Sequence, residues 1–137
     1  MKNNTNTEYR LYAFAHSWLS GVQKGIQTAH AVANLLRCEF KSRKDVKQWA
    51  DEDQTIILLD GGNCAQLNRT LDQISDETDF SYSFFYEDEE SLSSSLTSAV
   101  VVVPNWVYEC TFDDYKYKLA QKYWTFFELI KSAKLAV

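Results

Sequence analysis

The chain has 137 residues, of which 45% are hydrophobic and 15% aromatic, with one proline and four glycines. That is one domain's worth of sequence, apolar enough for a real core. A formal net charge of −5 excludes broad, non-specific polyanion binding, which rests on basic surface.

The first eight residues are polar, read as a flexible N-terminus, and carry no apolar signal core. Tyr9 to Ala15 reads as a strand, with Leu11, Ala13 and Ala15 alternating against Tyr12 and Phe14. A helix is predicted from about Ser20 to Leu36. Ser20 followed three residues later by Gln23 forms a capping box. Val22, Ile26, Ala29, Ala33 and Leu36 recur at helical spacing and define its expected buried face. Gln23, Gln27 and His30 line up beside that face. Two amides and an imidazole in register are costly in a core unless each finds a partner, so the stripe is half exposed or part of a site. Arg37, Lys41, Arg43, Lys44 and Lys47 cluster at the helix end and read as a solvated surface.

A shorter helix is expected around Asp45 to Ala50, with Val46, Trp49 and Ala50 on one side. Thr55 to Leu59 is a continuous apolar run of the kind found in strands buried on both faces. Asp60-Gly-Gly-Asn63 ends it. Asn63, with Gln66 three residues on, is a good N-cap for a helix carrying Leu67, Leu71 and Ile74. Tyr82 to Tyr86 is a plausible strand and Glu87 to Ser95 an acidic loop or short turn. Ser98 to Val103 is a β-branched strand stopped by Pro104; its apolar run, Ala99 to Val103, is far too short to span a membrane.

The order of elements predicts an α/β fold: a small mixed sheet of about four strands with helices on both faces, plus a C-terminal aromatic-rich helix. In that helix Phe112, Tyr115, Leu119, Tyr123, Phe126 and Ile130 keep helical spacing. Such a helix either folds across its own sheet or supplies a self-association surface. The three cysteines, Cys38, Cys64 and Cys110, are widely spaced with no Cys-x-x-Cys. They indicate neither a disulfide framework nor a zinc site, and point to reduced thiols in a cytoplasm. No metal and no cofactor are expected.

Residues Tyr9 to Pro104 resemble the peptidyl-tRNA hydrolase type II superfamily. Its first helix carries Gly-Lys-x-x-x-Gln-x-x-His-Ala, whose last three fixed positions are matched by Gln27, His30 and Ala31. The likeness is closer to small bacteriophage-borne members of that superfamily. These share Leu-Ser-x-x-Gln-x-Gly-Ile-Gln-x-x-His-Ala (here Leu19 to Ala31), Thr-Ile-Ile-x-Leu-x-Gly-Gly (Thr55 to Gly62) and Phe-x-Glu-x-x-x-x-Leu-x-x-x-Leu-Thr (Phe85 to Thr97). The chain departs from the family at two places. Gln23 stands where the family has lysine, with Lys24 about 100° further round the helix. The Asp-x-Gly-x-Thr segment is not reproduced: Glu89 and Glu90 follow Asp88, and Thr97 comes later. The resemblance divides the chain into residues 1–8, a hydrolase-like domain at 9–104 and a helical extension at 105–137.

In such a sheet, ligands collect at the carboxyl ends of strands. Ser17 to Lys24, Gly61 to Asn63, and Glu87 with Asp88 are expected to converge there. Gly61, Gly62 and Asn63 would offer an N–H nest for phosphate or carboxylate. As a hydrolase, the resemblance implies cleavage of the ester joining a peptide to the tRNA 3′ end. His30 would activate water, Asp88 would orient it and Thr97 would hold substrate. As a non-catalytic binder, the pocket would sequester a small nucleotide, a host defence signal if the chain is phage-encoded. Gln23 and Gln27 would then read base edges, Trp18 would stack, and Ser20, Lys24 and Glu87 would line the pocket. A third reading is an inhibitory module acting through its C-terminal helix. The expected partners are a tRNA 3′ end or a small nucleotide, with homo-oligomerisation through that helix and no membrane; the expected location is the cytoplasm, the host's if phage-borne.

Overall fold

The computed structural model describes residues 7–39, 43–87 and 95–136. Four strands form one mixed sheet: β1 (Tyr9–Ala15), β2 (Thr55–Asp60), β3 (Tyr82–Glu87) and β4 (Ser95–Pro104), in the order β2-β1-β4-β3. β1 pairs parallel to β2, and β4 runs antiparallel to both β1 and β3. The carboxyl ends of β1, β2 and β3 therefore lie at one end of the sheet, beside the start of β4.

Helix α1 (Gly21–Glu39) and the short α2 (Lys44–Gln48), continued by a π turn at Trp49–Asp53, cover one face. There Ala31, Leu35, Val46 and Trp49 pack on Leu11, Ala13, Val100 and Val102. Helix α3 (Cys64–Glu77) and the C-terminal helices α4 (Asn105–Tyr108), α5 (Tyr115–Lys118) and α6 (Trp124–Ser132) follow on the chain. The opposite face is one apolar cluster in which Leu67, Ile74, Phe126 and Phe127 meet Phe14, Val101 and Val103. The expected α/β layering is the observed one. Residues 105–136 share this core, so they do not form a separate module.

Three expectations change. First, β4, not β2, is the strand buried on both faces: its residues from Leu96 to Pro104 are all buried, whereas Thr55 and Ile56 are exposed. β2 is an edge strand whose outer side is met by the C-terminal segment. Asp60 N–H donates to the Lys134 carbonyl and Ala136 N–H to the Leu58 carbonyl, at 2.8 and 3.0 Å. An apolar run reads the same in either position, because such cover comes from distant sequence.

Second, the aromatic C-terminal stretch is broken into α5, a 3₁₀ turn at Gln121–Tyr123 and α6. Its Leu119, Tyr123, Phe126, Phe127 and Ile130 are buried within the chain. Phe112 and Tyr117 of the same stretch stay exposed.

Third, α1 presents the opposite face to the sheet from the one expected. Val22 is 75% exposed, Ile26 49%, and Ala29 and Ala33 are also exposed. Lys24, Gln27, Thr28, Ala31 and Leu35 are the buried residues instead. Polar groups can face a sheet when partners wait there, and here they do.

Candidate functional site

The partners of the α1 polar face are supplied by a bulge. Phe85 pairs with Ser98 and Tyr86 with Leu96, so Thr97 is an extra residue on β4. A bulge of this kind re-aims side chains. Here Thr97 and Ser98, consecutive in sequence, both address α1. The Thr97 hydroxyl donates to Gln27 Oε1 at 2.8 Å and lies 3.2 Å from the Phe85 carbonyl oxygen. Ser98 and Thr28 share a hydroxyl–hydroxyl bond at 3.3 Å.

Gln27 then reaches on to the carboxylate. Its Nε2 donates to Glu87 Oε2 at 3.2 Å. Both ends of one buried amide are thereby fixed, oxygen to hydroxyl and nitrogen to carboxylate. Lys24, one turn earlier on the same helix face, is only 5% exposed. The sheet end therefore gathers an amide, a carboxylate and a hydroxyl in one hydrogen-bonded set, with Lys24 buried one turn earlier on the helix. Gln23, by contrast, is exposed. Its side chain accepts from Ser20 N–H at 3.1 Å while Ser20 Oγ accepts from Gln23 N–H. The capping box is real and it occupies both Ser20 and Gln23. Lys24, rather than the residue at the expected lysine position, shares the buried side with Gln27. Lys24, expected among the pocket-lining residues though offset by about 100° from the family's lysine position, is turned to the buried side because the whole helix is rotated.

His30 is exposed and stacks on Phe85, ring centroids 4.4 Å apart at an interplanar angle of 12°. Phe85 belongs to the same β3 end as Glu87, so the imidazole lies at the rim of the patch rather than inside it. No hydrogen bond to its ring is found among the described residues. Asp88 lies outside them.

The glycine turn is placed at the same sheet end but does not form the expected nest. Gly61 N–H donates to the Ala15 carbonyl at 2.8 Å and Gly62 N–H to Asp60 Oδ1 at 3.0 Å. Asn63 N–H donates to Gln66 Oε1, and Gln66 N–H to Asn63 Oδ1. These amides are occupied, one by a carboxylate, which is the wrong neighbour for an incoming anion. The turn instead locks the two strand ends together, since Ser17 N–H donates to the Gly62 carbonyl at 2.9 Å.

Trp18 is 88% exposed just ahead of α1, its backbone N–H donating to His16 Nδ1 at 3.2 Å. The rings of His16 and Trp18 meet edge-on at 5.7 Å. Partial burial lowers the His16 pKa below its ordinary value, against a smaller opposing effect of Asp60.

Ser17, Gly61 and Gly62, expected together at a ligand site, do line one cleft. Of about 540 Å³, it opens on the α3 side of the same sheet end, lined also by Asp60, Gln66, Arg69, Gln73 and Lys134 among others. Arg69 carries no motif, and Lys134 arrives only because the C-terminal segment lies along β2. Among the described residues no cluster of side chains suits a metal ion, and no helix is long and apolar enough to cross a membrane. All three cysteines are free thiols. No protein-family model matches the chain, and no curated protein matches it significantly.

Proposed function

We propose that this chain hydrolyses the ester between a peptide and the 3′ end of tRNA, as its resemblance implies, using Lys24, Glu87 and Thr97 around Gln27. The observation that carries this reading is the doubly bonded Gln27 amide, held between Glu87 and Thr97 on the helix face that also buries Lys24. Ester hydrolysis needs a base for water and a positive charge for the oxyanion, and this reading assigns those parts to Glu87 and Lys24.

In this reading Glu87 takes the role expected of Asp88. Its carboxylate accepts a proton as water attacks the ester carbonyl. The Lys24 ammonium faces the oxyanion. On collapse the C–O bond to the ribose breaks, and the proton held by Glu87 passes to the departing ribose oxygen. Gln27 is a positioning residue, since it aligns Glu87 through Nε2 while Thr97 fixes its other end. His30, at the rim and stacked on Phe85, is suited to contact the nucleotide end rather than to carry the proton.

A second reading has its own support. The cleft of about 540 Å³ is within the range of small-molecule sites, and Arg69, Lys134, Gln66 and Gln73 are suited to a phosphate and a base. Nucleotide sequestration would use that cleft and not the Gln27 patch. One set of measurements tells the two apart. N-acetylaminoacyl-tRNA is incubated with wild type, Lys24→Ala and Arg69→Ala, and a mononucleotide panel is screened by thermal shift. Ester cleavage lost in Lys24→Ala and kept in Arg69→Ala supports hydrolysis. No cleavage above the spontaneous rate refutes it. A nucleotide shift abolished by Arg69→Ala supports the second reading.

A further inference from the structure

The two edges of the sheet differ, and neither reading above uses the difference. On the β2 edge the chain covers itself, through the backbone bonds of Asp60 with Lys134 and of Ala136 with Leu58. The β3 edge has no such cover. Val102 N–H donates to the Ser81 carbonyl at 2.9 Å, and Ser83 is the next residue but one, opposite Val100. Alternation in an antiparallel ladder then turns the backbone groups of Tyr82 and Phe84 away from β4. Asn34 of α1 agrees with this, since its Nδ2 donates to the Phe84 carbonyl at 3.1 Å. The Tyr82 N–H, the Tyr82 carbonyl and the Phe84 N–H meet no partner among the described residues. Open edges are usually blunted by lysine, proline or cover. Tyr82-Ser-Phe-Phe-Tyr86 carries neither charge nor proline.

A groove of about 450 Å³ lies against this edge, walled by Asn34 and Arg37 of α1 and by Arg43. No carboxylate lines it among the described residues. Arg43 is fixed there, its Nη2 donating to the Asp79 carbonyl at 2.7 Å. Asp45, 3.7 Å from Arg43 Nε, is already engaged by the Ser81 hydroxyl at 2.9 Å. Arg37 is exposed and has no hydrogen bond or ion pair among the described residues. A chain of net charge −5 thus sets a cationic wall beside unpaired strand backbone. On the other face of the same strand Phe84 is 40% and Tyr86 43% exposed, with their rings edge-on at 5.7 Å.

We infer that the β3 edge takes an extended acidic segment of a partner protein as an added strand. Backbone pairing at Tyr82 and Phe84 supplies affinity, and alternate side chains supply specificity. A strand has a side-chain period of two. Residues of the added strand on the α1 side are therefore carboxylates, placed for Arg37 and Arg43. Those between them are apolar, beside Phe84 and Tyr86. A second copy of this chain fits less well, because its own Arg37 and Arg43 arrive with its β3 edge and set cation against cation. A nucleic acid strand has no amide ladder to match the edge.

The probe is a fluorescein-labelled peptide of about eight residues alternating glutamate and valine, a length matched to one strand. A lysine–valine peptide and a fully N-methylated glutamate–valine peptide are the controls. Anisotropy titration with the full chain at low salt, where screening is weak, is expected to give a Kd of about 10–500 µM for the glutamate peptide. The lysine and N-methylated peptides are expected to bind at least about tenfold more weakly, lacking the charge match and the backbone donors. Amide hydrogen exchange at Tyr82 and Phe84 should slow when the glutamate peptide is bound. Arg37→Glu, at an exposed position, should weaken the glutamate peptide at least about tenfold and tighten the lysine peptide, with unchanged melting. If that variant folds poorly, the three peptides on wild type decide the matter. No binding of the glutamate peptide up to about 1 mM, or equal binding of all three peptides, would overturn the inference. So would slowed exchange at Tyr82 and Phe84 in the peptide-free chain as its concentration rises, which would give the edge to a second copy.

Discussion

The Thr97 hydroxyl donates to the side-chain oxygen of Gln27 across 2.8 Å, joining a β-bulge to a helix face 70 residues away in sequence. This bond explains why α1 can turn a polar stripe toward the sheet. It also makes the stripe costly to disturb. Thr97→Val leaves the Gln27 oxygen buried without its donor and is expected to cost about 1–3 kcal/mol. Gln27→Leu is milder for Thr97, whose hydroxyl retains the Phe85 carbonyl 3.2 Å away. In a double-mutant cycle by urea denaturation, the combined variant should lose less than the sum of the two singles. Additive losses would mean the two side chains act independently.

Gly62 and Gly25 make opposite predictions. Gly62 has φ +77°, and a Cβ there would sit 2.1 Å from Gln66 Oε1, the acceptor in the α3 capping box. Gly62→Ala should cost about 1–2 kcal/mol from the left-handed backbone, together with part of the cap. Gly25→Ala meets nothing within the chain and should stabilise the fold by up to about 1 kcal/mol. Thermal melts of both variants at low micromolar concentration check the two signs.

His16 gives the fold a pH dependence. Its folded pKa lies below the ordinary value, chiefly through burial, so the unfolded chain binds a proton more readily. Stability is then fully present above the unfolded histidine pKa, about 6.5. It falls as pH drops from there through the lower folded value. Asp79, held below its usual range mainly by the hydrogen bond from Tyr123, adds a loss at more acid pH, below the ordinary carboxylate range. Melting temperature followed from pH 7 to 5 should decline less in His16→Asn than in wild type. Parallel curves would remove His16 as the cause.

The C-terminal aromatics are core, and truncating one should show it. Phe126 is fully buried against Phe80, with ring centroids 5.8 Å apart. Phe126→Ala is expected to cost about 3–5 kcal/mol, a large part of the stability of a small domain. A denaturation midpoint equal to wild type would mean that the C-terminal helices are not part of the folding unit.

These relationships show where sequence is informative. The four strands, the long first helix and both capping boxes follow from local patterns: alternation at Leu11 to Ala15, Ser20 with Gln23, Asn63 with Gln66. The rotation of α1 does not. Val22, Ile26, Ala29 and Ala33 form an apolar stripe as regular as any core face, and only the hydroxyls raised by the Thr97 bulge make the other side the buried one. The edge position of β2 was hidden for the same reason, since its cover comes from Lys134 to Ala136. Of the candidate site, Gln27, Thr97 and Glu87 were recognisable as residues. Lys24 was recognisable too, but the bonding of the three and the burial of Lys24 depended on that rotation. The occupied amides of Gly61 and Gly62 depended on Asp60 folding back, which no spacing reveals.

The account rests most heavily on Glu87 acting as the base of an ester hydrolysis. Its direct test is the single-turnover rate of peptide release from N-acetylaminoacyl-tRNA by Glu87→Gln, with far-ultraviolet melting measured on the same samples. Loss of a positioned base predicts a rate at least about 100-fold below wild type at an unchanged melting temperature. Release by Glu87→Gln at the wild-type rate would contradict the account.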